Sequence, residues 1–235
     1  MTATPIRRHD RARRVLAGSL ATLVWLGPFW AKGMSVMAEP LAKTVQLHVT
    51  EKQRDTASIQ FEYRVMNGLA EPIYLLDRPS ADVHGGGMVI KENFANIMFA
   101  EPDIVRIVRG ILPLPLDRNV ARRAPTFLTK VDAGQTVVRS LQIALPLVER
   151  RSYFSDDEKP SGVTKTVSQV RFELGCTELR PGMQIGQRGL DSGPEVVLEG
   201  RWAAPYQRVL TATIHIAPTE LLLHSDPFER VELIQ

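Results

Sequence analysis

The chain is poor in the residues that usually announce a chemistry. One cysteine, Cys176, stands among 235 residues. No internal disulfide can form, so the fold must hold by its core alone even in an oxidising compartment. The histidines beyond residue 38 are His48, His84, His215 and His224, and no His-x-x-x-His or Cys-x-x-Cys pair occurs; this excludes a compact metal motif. There is no Gly-x-Ser-x-Gly elbow, and with it goes the common hydrolase signature. Gly85-Gly86-Gly87 runs into Met88-Val89-Ile90 rather than a Gly-Lys-Ser/Thr, so it is no phosphate cradle. Asp156-Asp157-Glu158 lacks the spaced ligands and glycine of a calcium loop and reads as a solvated acidic stretch. No repeat with a period of roughly 20–50 residues is visible, which argues against a solenoid or propeller. No catalytic, cofactor-binding or metal residue is assigned on these grounds, and no cofactor is expected.

What is present begins with an unusual N-terminus. Arg7, Arg8, Arg11, Arg13 and Arg14 precede an apolar run of 17 residues from Val15 to Ala31, broken by Gly27-Pro28, and Val36-Met37-Ala38 follows. A basic, an apolar and a small-residue region in that order form a secretory signal, predicted as residues 1–38 with cleavage after Ala38. An uncleaved anchor would need roughly 17–25 residues to span a bilayer; the membrane is a partner only if the leader stays. Arg13-Arg14-Val15-Leu16 also resembles part of a twin-arginine signal, with Ala12 where a Ser or Thr usually stands. The leader distorts the charge: the chain carries 29 basic and 26 acidic residues, but residues 39–235 hold 23 and 25, a net of −2. A net-negative mature domain offers no overall attraction to nucleic acid. Arg122-Arg123 and Arg150-Arg151 are read as solvated loop charges.

The dominant period after residue 38 is two. Val45, Leu47 and Val49 alternate with polar residues, as do Ile59, Phe61, Tyr63 and Val65, the pattern of half-buried strands. Asn67-Gly68 predicts a turn joining the second of these runs to Ile73–Leu76 as a hairpin. Asp77–Gly87 reads as a loop, and Met88–Ile90 is expected to pair with Ile97–Phe99. Ile111 to Leu116 contains Pro113 and Pro115 and suits an edge or connector. A turn at Asp132–Gln135 separates two strands, residues 149–162 read as an exposed loop and 180–194 as a long irregular stretch. Val170, Phe172, Leu174 and Cys176 alternate in a further strand, which predicts a buried, inert thiol. Val196–Leu198 and Arg208–Ile216 add two more. Eight or nine short strands without an amphipathic helix predict an all-β sandwich or barrel in one domain, residues 39–235.

Ser58-Ile-Gln-Phe-Glu-Tyr-Arg-Val-Met-Asn67 with Pro72-Ile-Tyr-Leu-Leu76 resembles the paired early strands of immunoglobulin-like domains in exported bacterial proteins. Asp132-Ala-Gly-Gln-Thr136 with Leu141-Gln-Ile-Ala-Leu-Pro146 is similar to a later turn-and-strand segment of those domains. The resemblance implies an immunoglobulin-like β-sandwich with long irregular loops and a periplasmic or secreted setting. It implies no activity, because that fold hosts many.

Two function classes follow. The first is a non-catalytic binding or assembly module that meets another extracytoplasmic protein through a sheet edge or through loops 77–87 and 149–162. The second is an extracytoplasmic hydrolase with a scattered site around loop 77–87, where His84 beside Asp82 could shuttle a proton or hold a metal; an incidental loop histidine is the plainer reading. His48 and His215 fall in strand patterns and read as structural. Trp202 with Tyr206 reads as a core anchor before it reads as a stacking patch. The binding module is favoured, since no nucleophile–base set assembles from spacing.

Overall fold

Strand alternation sets the inner face of the smaller sheet. In the computed structural model, which describes residues 44–82, 88–113, 126–151, 160–190, 193–199 and 207–224, Ile59, Phe61, Tyr63 and Val65 are fully buried while Arg64 is exposed. The strands are β1 (Val45–Arg54), β2 (Ser58–Asn67), β3 (Ile73–Asp82), β4 (Met88–Ile90), β5 (Asn96–Glu101), β6 (Asp103–Arg109), β7 (Thr126–Val131), β8 (Thr136–Ala144), β9 (Leu147–Val148), β10 (Pro160–Glu178), β11 (Gln184–Leu190), β12 (Gly193–Glu199) and β13 (Arg208–His224). Among the described residues there is no helix. The leader (residues 1–38), His84, Arg122-Arg123, Asp156–Glu158, Trp202 and Tyr206 lie outside the described residues.

Two sheets face each other. One has the order β1-β2-β8, the other β11-β12-β7-β3-β10-β13-β9, with β6 and β5 continuing from β10 and β4 from β3. The all-β expectation holds. Most pairs are antiparallel, but β6 runs parallel to β10 and β9 parallel to β13. The inter-sheet core joins Ile59, Phe61, Tyr63, Val65 and Leu141 to Leu75, Val105, Ile107, Val170, Phe172, Leu174 and Cys176. Along β10 the inward phase shifts from Val167 to Val170, where a bulge falls between Val167 and Gln169. An extra residue reverses which parity faces the core, so strict alternation along this strand begins only at Val170.

Several expectations are corrected. β2 and β3 do not form a hairpin: β2 pairs with β1 and β8, β3 with β4, β7 and β10. Asn67 takes no positive φ. It is fully buried and clamps the crossing between sheets: its Nδ2 donates to the carbonyls of Glu71, Val131 and Asp132, and its Oδ1 accepts from the Leu69 N–H. β4 pairs with β3, and β5 with β6, rather than with each other. Asp77 to Asp82 belongs to β3 instead of a loop. The stretch 180–194 holds β11 and the start of β12, an antiparallel hairpin. The turn at Asp132–Gln135 is as expected, with Gly134 at φ 70° and the Gln135 N–H donating to the Asp132 carbonyl.

The larger sheet is covered on both faces. Leu75 faces the inter-sheet core, while its neighbour Leu76 packs with Ile111 and Leu128 on the other side. Leu112 packs there with Met98 and Val108. A strand buried on both faces loses its polar alternation, which is why Ile73–Leu76 reads as a plain apolar run. Ile111–Pro113 is accordingly no sheet edge; it covers that outer face. Gln207 holds it, accepting from the Ile111 N–H and donating to the Ile111 carbonyl.

Candidate interaction edge

Among the described residues, those singled out for chemistry do not converge. His48 and His215 are exposed on β1 and β13 rather than packed. His224 is buried, and its backbone N–H, not its ring, donates to Glu149 Oε2. Arg150 and Arg151 are not solvated: Arg150 Nε donates to the Ala95 carbonyl and its guanidinium lies 5.0 Å from the Phe94 ring centre, while Arg151 is buried. Cys176 is 2% exposed, and burial pushes its thiol up to about 11. A thiol held protonated at neutral pH is a poor nucleophile, as its place in the strand predicts. Among the described residues no cluster of three His, Cys, Asp or Glu could hold a metal.

A polar cluster that the sequence did not reveal lies inside the core. Tyr63 on β2 donates to Asp77 Oδ2 on β3 (2.9 Å) and accepts from Arg109 Nη1 on β6 (3.3 Å). All three are at most 2% exposed. Burial first, and then the Asp77 carboxylate, push the Tyr63 phenol well above its usual value, so it stays protonated and can donate. The cluster sits where β10 changes partner, from β6 up to Leu174 to β3 from Cys176. At this fork the backbones of Gly110 and Gly175 touch; a Cβ on Gly175 would lie 2.7 Å from Gln207 Oε1 and 3.2 Å from Gly110 Cα. Only glycine permits that approach. Arg109 and Asp77 thus tie the strands leaving the fork to β2 of the opposite sheet. The cluster is closed from solvent and serves structure.

The surface is decided at the strand edges. Unpaired edges recruit other strands unless blunted by charge, proline, bulges or brevity. β1 has a bulge between Glu51 and Gln53 and carries Glu51, Lys52 and Arg54. The β10 segment before Val167 has Pro160, Gly162 at φ 78° and Lys165. β9 is two residues long, and β11 contains Gly186, Arg188 and Gly189.

β8 has no proline and no bulge, is not short, and carries one charged residue, Arg139. Its nine residues pair with β2 without a register shift. The Asn67 N–H donates to the Gln135 carbonyl and the Leu145 N–H to the Ala57 carbonyl, so odd-numbered residues address β2. Even-numbered residues point away, as Gln142 does when its N–H donates to Asn93 Oδ1. The outward N–H and C=O groups of Thr136, Val138 and Ser140 make no hydrogen bond among the described residues. Val138 is 46% exposed.

No known family model, curated protein or solved structure matches the chain. The edge must therefore be read from its own chemistry. Val137, Leu141 and Ile143 face the core, and Thr136, Val138, Ser140 and Gln142 face outward. The signal available in the sequence was the charge-poor run Thr136–Ala144, which holds the single charge Arg139. Alternation identified the strand; its lack of a second neighbour follows from sheet order, which no local pattern encodes.

Proposed function

We propose that this chain is an exported binding module of immunoglobulin-like build, whose β8 edge accepts an extended segment of another extracytoplasmic protein. The observation behind this reading is the regular, uncapped edge at Thr136, Val138 and Ser140. In strand addition, main-chain hydrogen bonds give affinity and alternate side chains give specificity. The immunoglobulin-like assignment is supported by connectivity. Taking β1, β2, β3, β7, β8, β10 and β13 as seven core strands, the first, second and fifth share one sheet, and the fourth, third, sixth and seventh lie in that order in the other. This grouping supports a sandwich of this kind, with the difference that the fourth strand lies in the second sheet. The export part rests on the Arg-rich, apolar, Val-Met-Ala order of residues 1–38. Intact-mass measurement of the extracytoplasmic chain should give a start near Glu39; a full-length chain confined to the cytoplasm would refute export.

The edge is tested with Val138→Pro. Proline at an outward position removes a donor aimed at the partner and leaves the β2 ladder intact. With a photoreactive side chain at Thr136, the parent protein is expected to crosslink to a partner in its native envelope. The Val138→Pro protein should lose that adduct while unfolding within a few degrees of the parent. An adduct that survives the proline, or none in the parent, refutes the edge.

A further inference from the structure

The surroundings of the free segment say what its partner carries. Arg139 projects on the inner side of β8; its Nη2 reaches Thr129 Oγ1 at 3.4 Å, and its Nε and Nη1 make no hydrogen bond among the described residues. Arg64 on β2 is the cross-strand neighbour of Val138 on the outer side. It is exposed, and its guanidinium forms no ion pair or hydrogen bond among the described residues. Glu62, opposite Ser140 on β2, pairs with Lys52 at 3.2 Å. The segment is thus flanked on each face by a cation that forms no ion pair among the described residues, in a chain whose residues 39–235 are net negative.

We infer that the occupant of the β8 edge is an extended, acidic segment of another protein, with a carboxylate on each face where it passes Val138 and Arg139. This rests on the edge reading proposed above. One carboxylate would lie beside Arg139 on the inner face; the other, opposite Val138, would reach across it toward Arg64. Guanidinium–carboxylate contacts add charge-assisted hydrogen bonds to the backbone ladder and select against basic strands. The same cations disfavour a second copy of this chain. A two-fold pairing that used all the free groups would centre on Val138 and set Thr136 against Ser140 of the mate. It would place Arg139 diagonal to the mate's Arg139 on one face, at about 7–8 Å, where like charges repel.

The test uses the mature full chain and capped synthetic peptides of threonine and valine. One carries two adjacent glutamates at its centre, so that each face has one; its twin carries two lysines. Fluorescence anisotropy at low ionic strength should show the glutamate peptide binding about tenfold tighter than the lysine peptide, a gap that narrows with added salt. The exposed double variant Arg64→Glu with Arg139→Glu should invert the preference, and Val138→Pro should bind neither. If Val138→Pro does not fold, a glutamate peptide N-methylated at alternate residues replaces it and should fail to bind. Equal binding of both peptides, abolished by Val138→Pro, would leave the edge standing and overturn the acidic partner. Binding of neither peptide to the parent protein overturns the proposal. So does a concentration-dependent dimer, seen by sedimentation and lost in Val138→Pro, since the occupant would then be a second copy.

Discussion

Arg109→Met should lower the unfolding free energy by about 3–5 kcal/mol, the usual cost of leaving a buried charge without its counterpart. Arg109 and Asp77 are at most 2% exposed and communicate through the Tyr63 hydroxyl. Methionine fills much of the arginine's length but supplies no positive charge and no donor. Asp77 then keeps one protein hydrogen bond, from Tyr63, while its Oδ1 already has no protein partner. For a domain of this size the loss corresponds to a fall in Tm of roughly 6–20 °C. Replacing the whole cluster, Arg109→Met with Asp77→Leu and Tyr63→Phe, should recover most of that loss, because well-packed apolar groups substitute for buried charges at little net cost. Urea unfolding monitored by circular dichroism measures both. A loss below about 1 kcal/mol for Arg109→Met, or a triple variant weaker than the single one, would contradict the role assigned to the cluster.

Phe172→Ala is expected to cost a similar amount, about 3–5 kcal/mol. Phe172 is fully buried on β10, the strand that pairs with β13 along most of its length and with β6 and β3 on its other side. Its ring lies 5.3 Å from that of Tyr63, tilted by 33°. Truncation removes this aromatic contact and opens a cavity at the centre of the sandwich, where neighbours on both sheets are held by ladders and cannot collapse freely. Because Arg109 and Phe172 both act on Tyr63, the double variant should lose less than the sum of the single losses. The denaturant midpoints of the four proteins in that cycle decide it: strict additivity, or a Phe172→Ala loss under about 1.5 kcal/mol, would show that the ring is not a shared support.

Local alternation exposed much of the fold in advance. β2 and the later half of β10 show their inner faces in the residue order, and Cys176 falls on the buried side as that order requires. The errors fall where a strand is not half-buried. Ile73–Asp82 is covered on both faces at Leu75 and Leu76 and then carries Asp77, Arg78 and Pro79, so its second half reads as a loop. In the structure Arg78 is held by Glu92 and Glu195, and the Pro79 carbonyl accepts from the Lys91 N–H. β11 is a glycine-containing, largely exposed strand that pairs with β12 and packs Ile185 against the outer cluster. Such strands owe their state to neighbours, and propensity says little about them.

The sequence by itself determined the strands whose one face is apolar, the turn at Asp132–Gln135, and a thiol placed to be buried. Those follow from two physical constraints that act within a few residues: side chains alternate across a strand, and glycine tolerates positive φ. Tertiary structure alone decided that β2 and β3 part into different sheets through Asn67, that Tyr63, Asp77 and Arg109 meet in the core, and that Thr136, Val138 and Ser140 are left facing outward. Each of these depends on which strand lies beside which. That is settled by packing among residues far apart in the chain, and no local spacing records it.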